Sequence, residues 1–374
     1  MIDRLVVCMT LPQSNDATPL SKPLRIVQTE NPEKEIWNRL SYFESTHNAK
    51  QYLLEKASKG IFSLENTDEA SKILSVNMQA AREYYKAAEG VTALAKPPLL
   101  YYGMVNLAKA LHVAVRGVAP EGKKHGLVAA KPWNYVIADL SVRVKQYGIF
   151  PEFYHCYSTE ELHASSFSMK QLLSLVPETK VPFETVYKEK SRAIKALRVR
   201  YGISLVDSEL QRYEKLEETV RQIPGIQEKY PNFQDFGDRL LLIGGYSESK
   251  ELAIHSVTGE EFLVLPISTT NGKCIVLAEL STHFLIMFML GLIARYHPKE
   301  WSEAIKGEES GDIYVIQNFL EATKRKFPNL ILNELRQREF VFGSTGIEVE
   351  KKMSQQQLED TYEYVSRRMG EELG

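Results

Sequence analysis

The segment from Lys96 to Arg116 carries four polar side chains at helical spacing: Tyr102, Asn106, Lys109 and Arg116. A phenol, an amide, an ammonium and a guanidinium on one helix face are groups that bind phosphate or carboxylate. A solvated face, or one that hydrogen-bonds a neighbouring lobe, would explain the same pattern. We therefore take these four residues as candidate ligand contacts and keep the structural explanation open.

A second set of candidate side chains belongs to a very apolar predicted helix that ends near residue 296. Pro298 disfavours α geometry at His297, so Arg295 and His297 should project from the helix end. Cations at that end also interact favourably with the helix dipole, which is a sufficient structural role. His283, four residues after Glu279 on the same helix, is either a tuned acid-base group or a hydrogen-bonded core histidine.

The segment KEKSRAIKALRVR, residues 188–200, contains six cations and one carboxylate. It would present a local positive surface either as a helix or as a strand from Leu197 onward. Such a surface suits a phosphate-bearing partner, and RNA or DNA is the partner that it predicts. A solvated face and ion pairs with the acidic residues of 208–218 are the alternatives. The candidate phosphate contacts in this segment are Arg192, Lys195, Arg198 and Arg200.

Composition and missing motifs limit the class of function. The 374 residues have a formal net charge of -2, which provides no global attraction to nucleic acid or to anionic lipid. The three cysteines are far apart and form no C-x-x-C pair, so we expect no metal site, no disulfide framework and a cytoplasmic location. The nucleotide-hydrolase, dinucleotide-binding, zinc-protease and serine-hydrolase motifs are all absent, and we expect no cofactor. The most apolar window is too short for a membrane helix.

The periodicity of apolar residues predicts an α+β protein that is predominantly helical. N- and C-terminal helical blocks should pack together, because each has a narrow apolar stripe that must be covered, and a central insertion should be β-rich and mostly antiparallel. We place an N-terminal strand or arm at 1–34, a helical block at 35–117, a mixed α/β region at 118–280 and a C-terminal helical block at 281–374.

Local patterns add finer expectations. Asp68 can cap a helix over 70–88, and its predicted buried face consists of Ile73, Val76, Ala80 and Tyr84. A polar helix is expected over 207–223, and Asn271-Gly272 is typical of a hairpin turn.

The C-terminal block should begin with a buried helix over 281–296. Helices over 312–326 and 328–338 are expected next. A capping box at Ser354 predicts a terminal amphipathic helix over 354–370, which would dock on the body of the protein or on a partner.

Five segments together carry a family resemblance: IWNRLSYFESTHNAKQYL, KPPLLYYGMVNLAKAL, KHGL at 124–127, YGIF at 147–150 and ARYHPKEW at 294–301. With these segments the chain resembles the YaaC-like proteins of bacteria from about Glu35 to Phe342. The resemblance implies a bacterial cytoplasmic protein and carries over no catalytic residue.

The helix containing YYGMVNLAKAL also resembles the helical core of HEPN-type proteins, many of which are ribonucleases in host defence. Those nucleases have four to six residues between an arginine and a histidine at one helix end. Here seven residues separate Arg39 from His47, eight separate Arg116 from His125, and one separates Arg295 from His297. This departure from the pattern favours a binding or assembly module.

The leading hypothesis is therefore a non-catalytic, cytoplasmic assembly or binding protein. It would form a homo-oligomer or bind a protein partner, contact nucleic acid through residues 188–200 and take part in a host-defence complex. No membrane is involved in this hypothesis.

Two alternatives belong to other functional classes. The first is a metal-independent ribonuclease of the HEPN type, in which Arg116 or Arg295 binds phosphate and His125, His283 or His297 is the acid-base group. The second is a small-molecule or nucleotide sensor with a closed pocket on the polar face of the 96–116 helix.

Overall fold

The computed structural model describes residues 22–62, 67–129, 136–199, 202–207, 210–213, 215–244, 253–269, 272, 274–307 and 311–343, without the side chains of 198, 199 and 253. Within these ranges the chain forms twelve α-helices. They are α1 (Pro32–Leu40), α2 (Thr46–Ser58), α3 (Thr67–Glu89), α4 (Lys96–Arg116), α5 (Ile149–Tyr154), α6 (Met169–Leu173), α7 (Lys180–Tyr187), α8 (Leu216–Arg221), α9 (Ile226–Lys229), α10 (Glu279–Tyr296), α11 (Pro298–Lys306) and α12 (Asp312–Arg336).

The strands of the described residues are β1 (Leu24–Gln28), β2 (Leu127–Ala129), β3 (Ser141–Val144), β4 (Ser166–Ser168), β5 (Ala193–Val199), β6 (Gly202–Val206), β7 (Asn232–Asp235), β8 (Arg239–Ile243), β9 (Ala253–His255), β10 (Glu261–Val264), β11 (Ile267–Ser268), β12 (Cys274–Ile275) and β13 (Glu339–Gly343). Six of them form an antiparallel sheet in the order β7-β8-β6-β5-β10-β9. A second antiparallel sheet contains β2, β3 and β4, and β11 pairs with β12. Asn271 of the predicted hairpin turn lies outside the described residues. The fold is α+β and predominantly helical, as predicted.

The long helix α4 lies at the centre of the helical packing. Pro97 and Pro98 occupy its first turn, where a backbone N–H has no partner within the helix and is not needed. Gly117 ends the helix with a left-handed φ of 74°. The helix packs against α3, α5, α10 and α12, so most of its circumference is buried. The predicted bounds of this helix are confirmed, and the N- and C-terminal helices pack on each other through it.

Neighbouring helices approach α4 closely at two glycines. A Cβ on Gly103 would lie 2.6 Å from the ring of Tyr85 in α3, a distance that real contacts do not reach. A Cβ on Gly291 in α10 would lie 3.2 Å from the Cβ of Tyr101. The absence of side chains at these two positions therefore sets the spacing of α3 and α10 from α4.

Buried apolar side chains of the described residues form two separate clusters. The larger cluster fills the space between the helices and the three-stranded sheet, and it includes Phe284 and Trp301. The smaller cluster joins the six-stranded sheet to residues of α8 and α9, such as Val220 and Ile226. The interior of this long chain is thus divided between two cores.

The buried face of α3 is not the predicted one. Val76 is 60% exposed, and Ile73, Ala80 and Tyr84 are only partly buried. Because α3 packs between α2 and α4, the adjacent row of residues points inward instead. That row contains Ala70, Leu74, Met78, Ala81, Tyr85 and Ala88.

Two other helix predictions are also wrong. The described residues of the polar segment 207–223 form a 3-10 helix over Leu210–Arg212 and then α8, and Lys215 before α8 has a left-handed φ of 50° that a continuous helix does not allow. The helix α12 runs through Pro328 as one element instead of two. Buried residues such as Phe327 and Ile331 pack along it, and their burial outweighs the hydrogen bond that proline cannot donate.

Some expectations fall beyond the part of the chain that the structure describes. The helix expected over 354–370 and residues 1–21 of the N-terminal arm lie outside the described residues. Among the helices that are described, none combines the length and the hydropathy needed to cross a lipid bilayer.

A parallel pair of strands joins distant parts of the chain. Strand β1 pairs with β13, with Leu24 opposite Glu339. Glu339 also lies 2.6 Å from Nδ1 of His255 at the end of β9, and Glu261 of β10 lies 3.4 Å from Nε2 of the same ring. Burial alone would lower the pKa of His255, but the two carboxylates outweigh burial and raise it to about 9. The imidazolium therefore ties β13 to the six-stranded sheet.

Gly103→Ala should lower the free energy of unfolding by about 1–3 kcal/mol, because the added methyl group overlaps the Tyr85 ring and the core must shift. Urea denaturation measures this loss. Gly90→Ala is the matched control, since a Cβ on Gly90 would meet no atom within 4 Å. Equal stability of the two variants would contradict the proposed packing constraint.

Stability contributed by His255 should be lost at alkaline pH. The folded state raises the pKa of His255 above its ordinary value of 6.5 to about 9, so the contribution is complete below pH 6.5 and disappears as the pH rises through 9. Urea unfolding between pH 7 and 9.5 should show a decline on the order of 2–3 kcal/mol. His255→Gln should remove most of this pH dependence, and an unchanged decline would exclude His255 as its source.

Candidate functional site

Arg295, in the last turn of α10, lies against the tyrosines of α4. Its Nε donates to the carbonyl of Gly291 over 2.7 Å, and its Nη1 donates to the hydroxyl of Tyr102. The guanidinium carbon also lies 5.7, 5.1 and 5.2 Å from the ring centroids of Tyr101, Tyr102 and Tyr296. No carboxylate of the described residues pairs with Arg295. Neutral groups therefore hold this cation in place, and no acid in the described part of the chain compensates its charge.

His125 contacts Tyr101, one of the tyrosines that lie beside Arg295. Its Nδ1 lies 2.8 Å from the hydroxyl of Tyr101, a side chain that is completely buried. Burial raises the pKa of Tyr101, so the phenol stays protonated and needs an acceptor for its hydrogen. We therefore assign the hydrogen bond as Tyr101 donating to Nδ1, with the neutral imidazole carrying its proton on Nε2.

The loop over residues 118–126 carries His125 to this position and is firmly held. The carboxylate of Glu152 accepts hydrogen bonds from two backbone N–H groups of the loop, over 2.8 and 2.7 Å. The N–H of Phe150 donates to the carbonyl of His125 over 3.0 Å. Gly126 and Gly148 lie face to face, and a Cβ on Gly148 would be 2.4 Å from the nitrogen of Gly126. Only glycine fits this contact, which fixes the loop against α5.

Lys109 supplies a third basic group. It is partly buried on α4, two helical turns after Tyr102, and makes no ion pair with a described residue. Burial, followed by the positive charges of Arg295 and Lys109, lowers the pKa of His125. Lys109 and Arg295 therefore both lie near enough to His125 to disfavour its protonation. We name Tyr101, Tyr102, Lys109, His125 and Arg295 the basic tyrosine cluster.

The remaining candidates on these helices make other contacts. The amide of Asn106 donates to a carbonyl of its own helix over 2.7 Å. Arg116 lies about 10 Å beyond Lys109 along α4 and donates to the carbonyl of His155 over 2.6 Å. His297 follows α10 and forms the N-cap of α11. Of the predicted polar face, Tyr102 and Lys109 therefore belong to the cluster, and Asn106 and Arg116 do not.

His283 is a fully buried histidine between α10 and α12. Its Nδ1 lies 2.7 Å from the hydroxyl of Thr323, its ring stacks on Phe319, and its Nε2 lies 3.9 Å from Glu279. Burial, and then the charge of Lys326, lower the pKa of His283 to about 3. Burial raises the pKa of Glu279 to about 7, although Lys326 opposes this shift. Of the two explanations open from the sequence, the hydrogen-bonded core histidine fits this geometry.

The basic segment 188–200 contains strand β5 rather than a helix. Arg192 donates to a backbone carbonyl over 2.7 Å, and Lys195 lies 2.8 Å from Glu260. The side chain of Arg198 and the whole of Arg200 lie outside the described residues. Arg192 and Lys195 therefore have partners within the protein, whereas Lys188 is exposed.

Tyr101 and His125 are the members of the cluster that helical periodicity does not select. Tyr101 is adjacent to the predicted polar face, and His125 stands out in the sequence only by its spacing from Arg116. The contacts that unite His125 with Arg295 are tertiary, across 170 residues of chain. The sequence does give one signal, because Tyr101 and His125 both belong to segments that carry the family resemblance.

Four of those segments meet at this site. KPPLLYYGMVNLAKAL forms most of α4, KHGL contains His125, YGIF contains the glycine that packs on KHGL, and ARYHPKEW contains Arg295. The family profile described as YaaC-like Protein matches residues 41–335. The chain belongs to the YaaC-like family. No curated protein sequence and no solved structure is significantly similar to this YaaC-like protein.

In this YaaC-like protein, NMR titration of the imidazole signals should give His125 a pKa below 6.5, since burial and two nearby cations disfavour the imidazolium. Lys109→Met should raise that pKa by removing one repelling charge. Lys72→Met, on the exposed side of α3, is the control and should leave it unchanged. A His125 pKa insensitive to Lys109 would place the two groups farther apart than the structure does.

Proposed function

We propose that this YaaC-like protein binds a phosphate-bearing ligand at the basic tyrosine cluster. The observation that supports the proposal is the convergence of three basic groups, Lys109, His125 and Arg295, without a paired carboxylate among the described residues. Lys109 and Arg295 keep His125 neutral in the unliganded protein, and a bound dianion would compensate the positive charge that they bring to this site. Arginine, lysine and tyrosine hydroxyl groups are also suitable donors to phosphate oxygens.

The ligand that suits the surroundings of the cluster is a nucleotide. Tyr296 is 68% exposed and lies beside the guanidinium of Arg295. An exposed ring next to a phosphate-binding cation provides a surface on which a base stacks. A nucleotide would therefore use both the charge and the aromatic surface, whereas inorganic phosphate would use only the charge.

The role that we propose is binding and not catalysis. A general base in this cluster would have to be His125, because the other basic groups are a lysine and an arginine. Burial and the neighbouring cations lower the pKa of His125, and its Nδ1 is already occupied by Tyr101. Both features weaken it as a proton acceptor. Homo-oligomer formation, a protein partner, a cytoplasmic location and a role in host defence stay predictions from the sequence.

Isothermal titration calorimetry of the full chain with AMP and with adenosine tests the proposal. AMP should bind at least tenfold more tightly, because adenosine lacks the phosphate that the cations contact. Lys109→Met should weaken AMP binding roughly tenfold, since a hydrogen bond to a charged group contributes about 1.5–3 kcal/mol. Lys72→Met is the matched control and should not change the affinity.

Equal affinities for AMP and adenosine, or equal affinities of the two lysine variants for AMP, would refute binding at the cluster. A separate assay follows a labelled RNA oligonucleotide for cleavage. Cleavage that disappears in His125→Ala would overturn the non-catalytic role and favour the ribonuclease alternative.

A further inference from the structure

A groove with a volume of about 390 Å³ lies on the exposed side of β3, near the loop that carries His125. The N–H of Lys145 donates to the carbonyl of Gly126 over 2.9 Å, and Gly126 is the residue after His125. The backbone of one lining residue therefore lies next to the residue that follows His125 in the sequence. Its polar lining consists of Arg143, Lys145, Gln146, Tyr147 and His163.

The groove is basic, and its charges are not neutralised by the described part of the protein. Arg143 and Lys145 are both exposed and alternate along the chain with the buried Val142 and Val144. They therefore face the same side of the sheet, about 7 Å apart. The lining contains no carboxylate, and no ion pair joins either cation to a described residue. Lys195 in the 188–200 segment, by contrast, has Glu260 as its partner.

An aromatic ring stands among these cations. Tyr147 is 77% exposed, the largest exposure among the large apolar and aromatic side chains of the described residues. His163 lies on the other side of the groove, where the N–H of Ala164 donates to the carbonyl of Val144 over 3.0 Å. An exposed ring interleaved with backbone-binding cations is the arrangement by which proteins hold unpaired bases.

We propose that the nucleotide bound at the cluster is one unit of a single-stranded nucleic acid, whose backbone continues into this groove. The inference rests on the proposed function, because the cluster supplies the first phosphate site. Arg143 and Lys145 would contact the next phosphates, and Tyr147 would stack on a base. A volume of 390 Å³ is in the range of sites for small ligands and accommodates a nucleotide-sized unit.

Two features favour a single strand over other polyanions. Stacking on Tyr147 requires a base whose face is free, and in a duplex that face is covered by its neighbours. An acidic peptide would satisfy the cations but would leave the exposed ring without a partner. Duplex RNA and polyglutamate are therefore the comparison ligands.

Fluorescence anisotropy with a labelled eight-nucleotide oligoadenylate RNA tests the inference in the full chain. The oligonucleotide should bind at least tenfold more tightly than AMP measured by competition. The double variant Arg143→Gln/Lys145→Gln should weaken oligonucleotide binding at least tenfold and leave AMP binding unchanged. Its slope of log K against log salt should be shallower by about 1.4, because two phosphate contacts of a single strand are lost.

A second variant tests stacking independently of charge. Tyr147→Ala should weaken oligonucleotide binding roughly fivefold or more, and Tyr147→Phe should retain the affinity because the ring remains. Lys188→Gln is the matched charge control, since Lys188 is exposed in the segment that the sequence singled out. It should leave oligonucleotide binding unchanged.

The outcomes separate this inference from the proposed function. If AMP binds at the cluster but the oligonucleotide binds no more tightly, the proposed function stands and the groove is excluded as an extension. The groove is likewise excluded if its variants bind the oligonucleotide normally, or if duplex RNA or polyglutamate competes as well as the single strand. If the wild-type protein binds neither AMP nor the oligonucleotide, both proposals are overturned.

Discussion

The close packing of α10 on α4 at Gly291 is the contact on which the rest of the site depends. Because no side chain separates the helices there, Arg295 reaches Tyr102 one turn later, while the carbonyl of Gly291 accepts from its Nε. The same packing encloses Tyr101, whose hydroxyl then requires a partner inside the protein. His125 is that partner. Helix packing thus buries the hydroxyl of Tyr101, which then needs a hydrogen-bond partner. That need brings His125 to the same tyrosine that Arg295 contacts.

The distribution of charge is decided by tertiary structure more than by local sequence. The most basic stretch of the chain contributes a central strand, whose neighbour in the sheet begins beside Glu260. Basic groups that are scattered singly through the sequence, such as Lys109 and Arg295, instead come together, and no acid of the described residues pairs with them. Local density of cations does not by itself predict their environment, because ion pairing depends on which strands are adjacent, as the pairing of Lys195 with Glu260 shows.

The helical elements could largely be predicted from the sequence, because helix signals are local. The prolines at the start of α4 and Gly117 at its end gave both boundaries correctly. The buried face of α3 could not be predicted, because two helices cover it and their positions set which row points inward. Pro328 was misleading for a related reason, since packing along α12 overrides a local breaking signal. Only part of the candidate site could be predicted from the sequence. Tyr102, Lys109 and Arg295 lie on helices that the sequence predicts, whereas His125 lies on a loop whose position depends on tertiary contacts.

The parallel pairing of β1 with β13 has a consequence for folding during synthesis. Leu24 lies opposite Glu339, so β1 leaves the ribosome 315 residues before its partner strand exists. At typical rates of translation this delay lasts roughly 15 to 60 s, long enough for the intervening helices to fold first. Both strands also fall outside the residues that match the family profile. The pair of β1 with β13 can therefore form only after residues 41–335, the part that matches the family profile, have been synthesised.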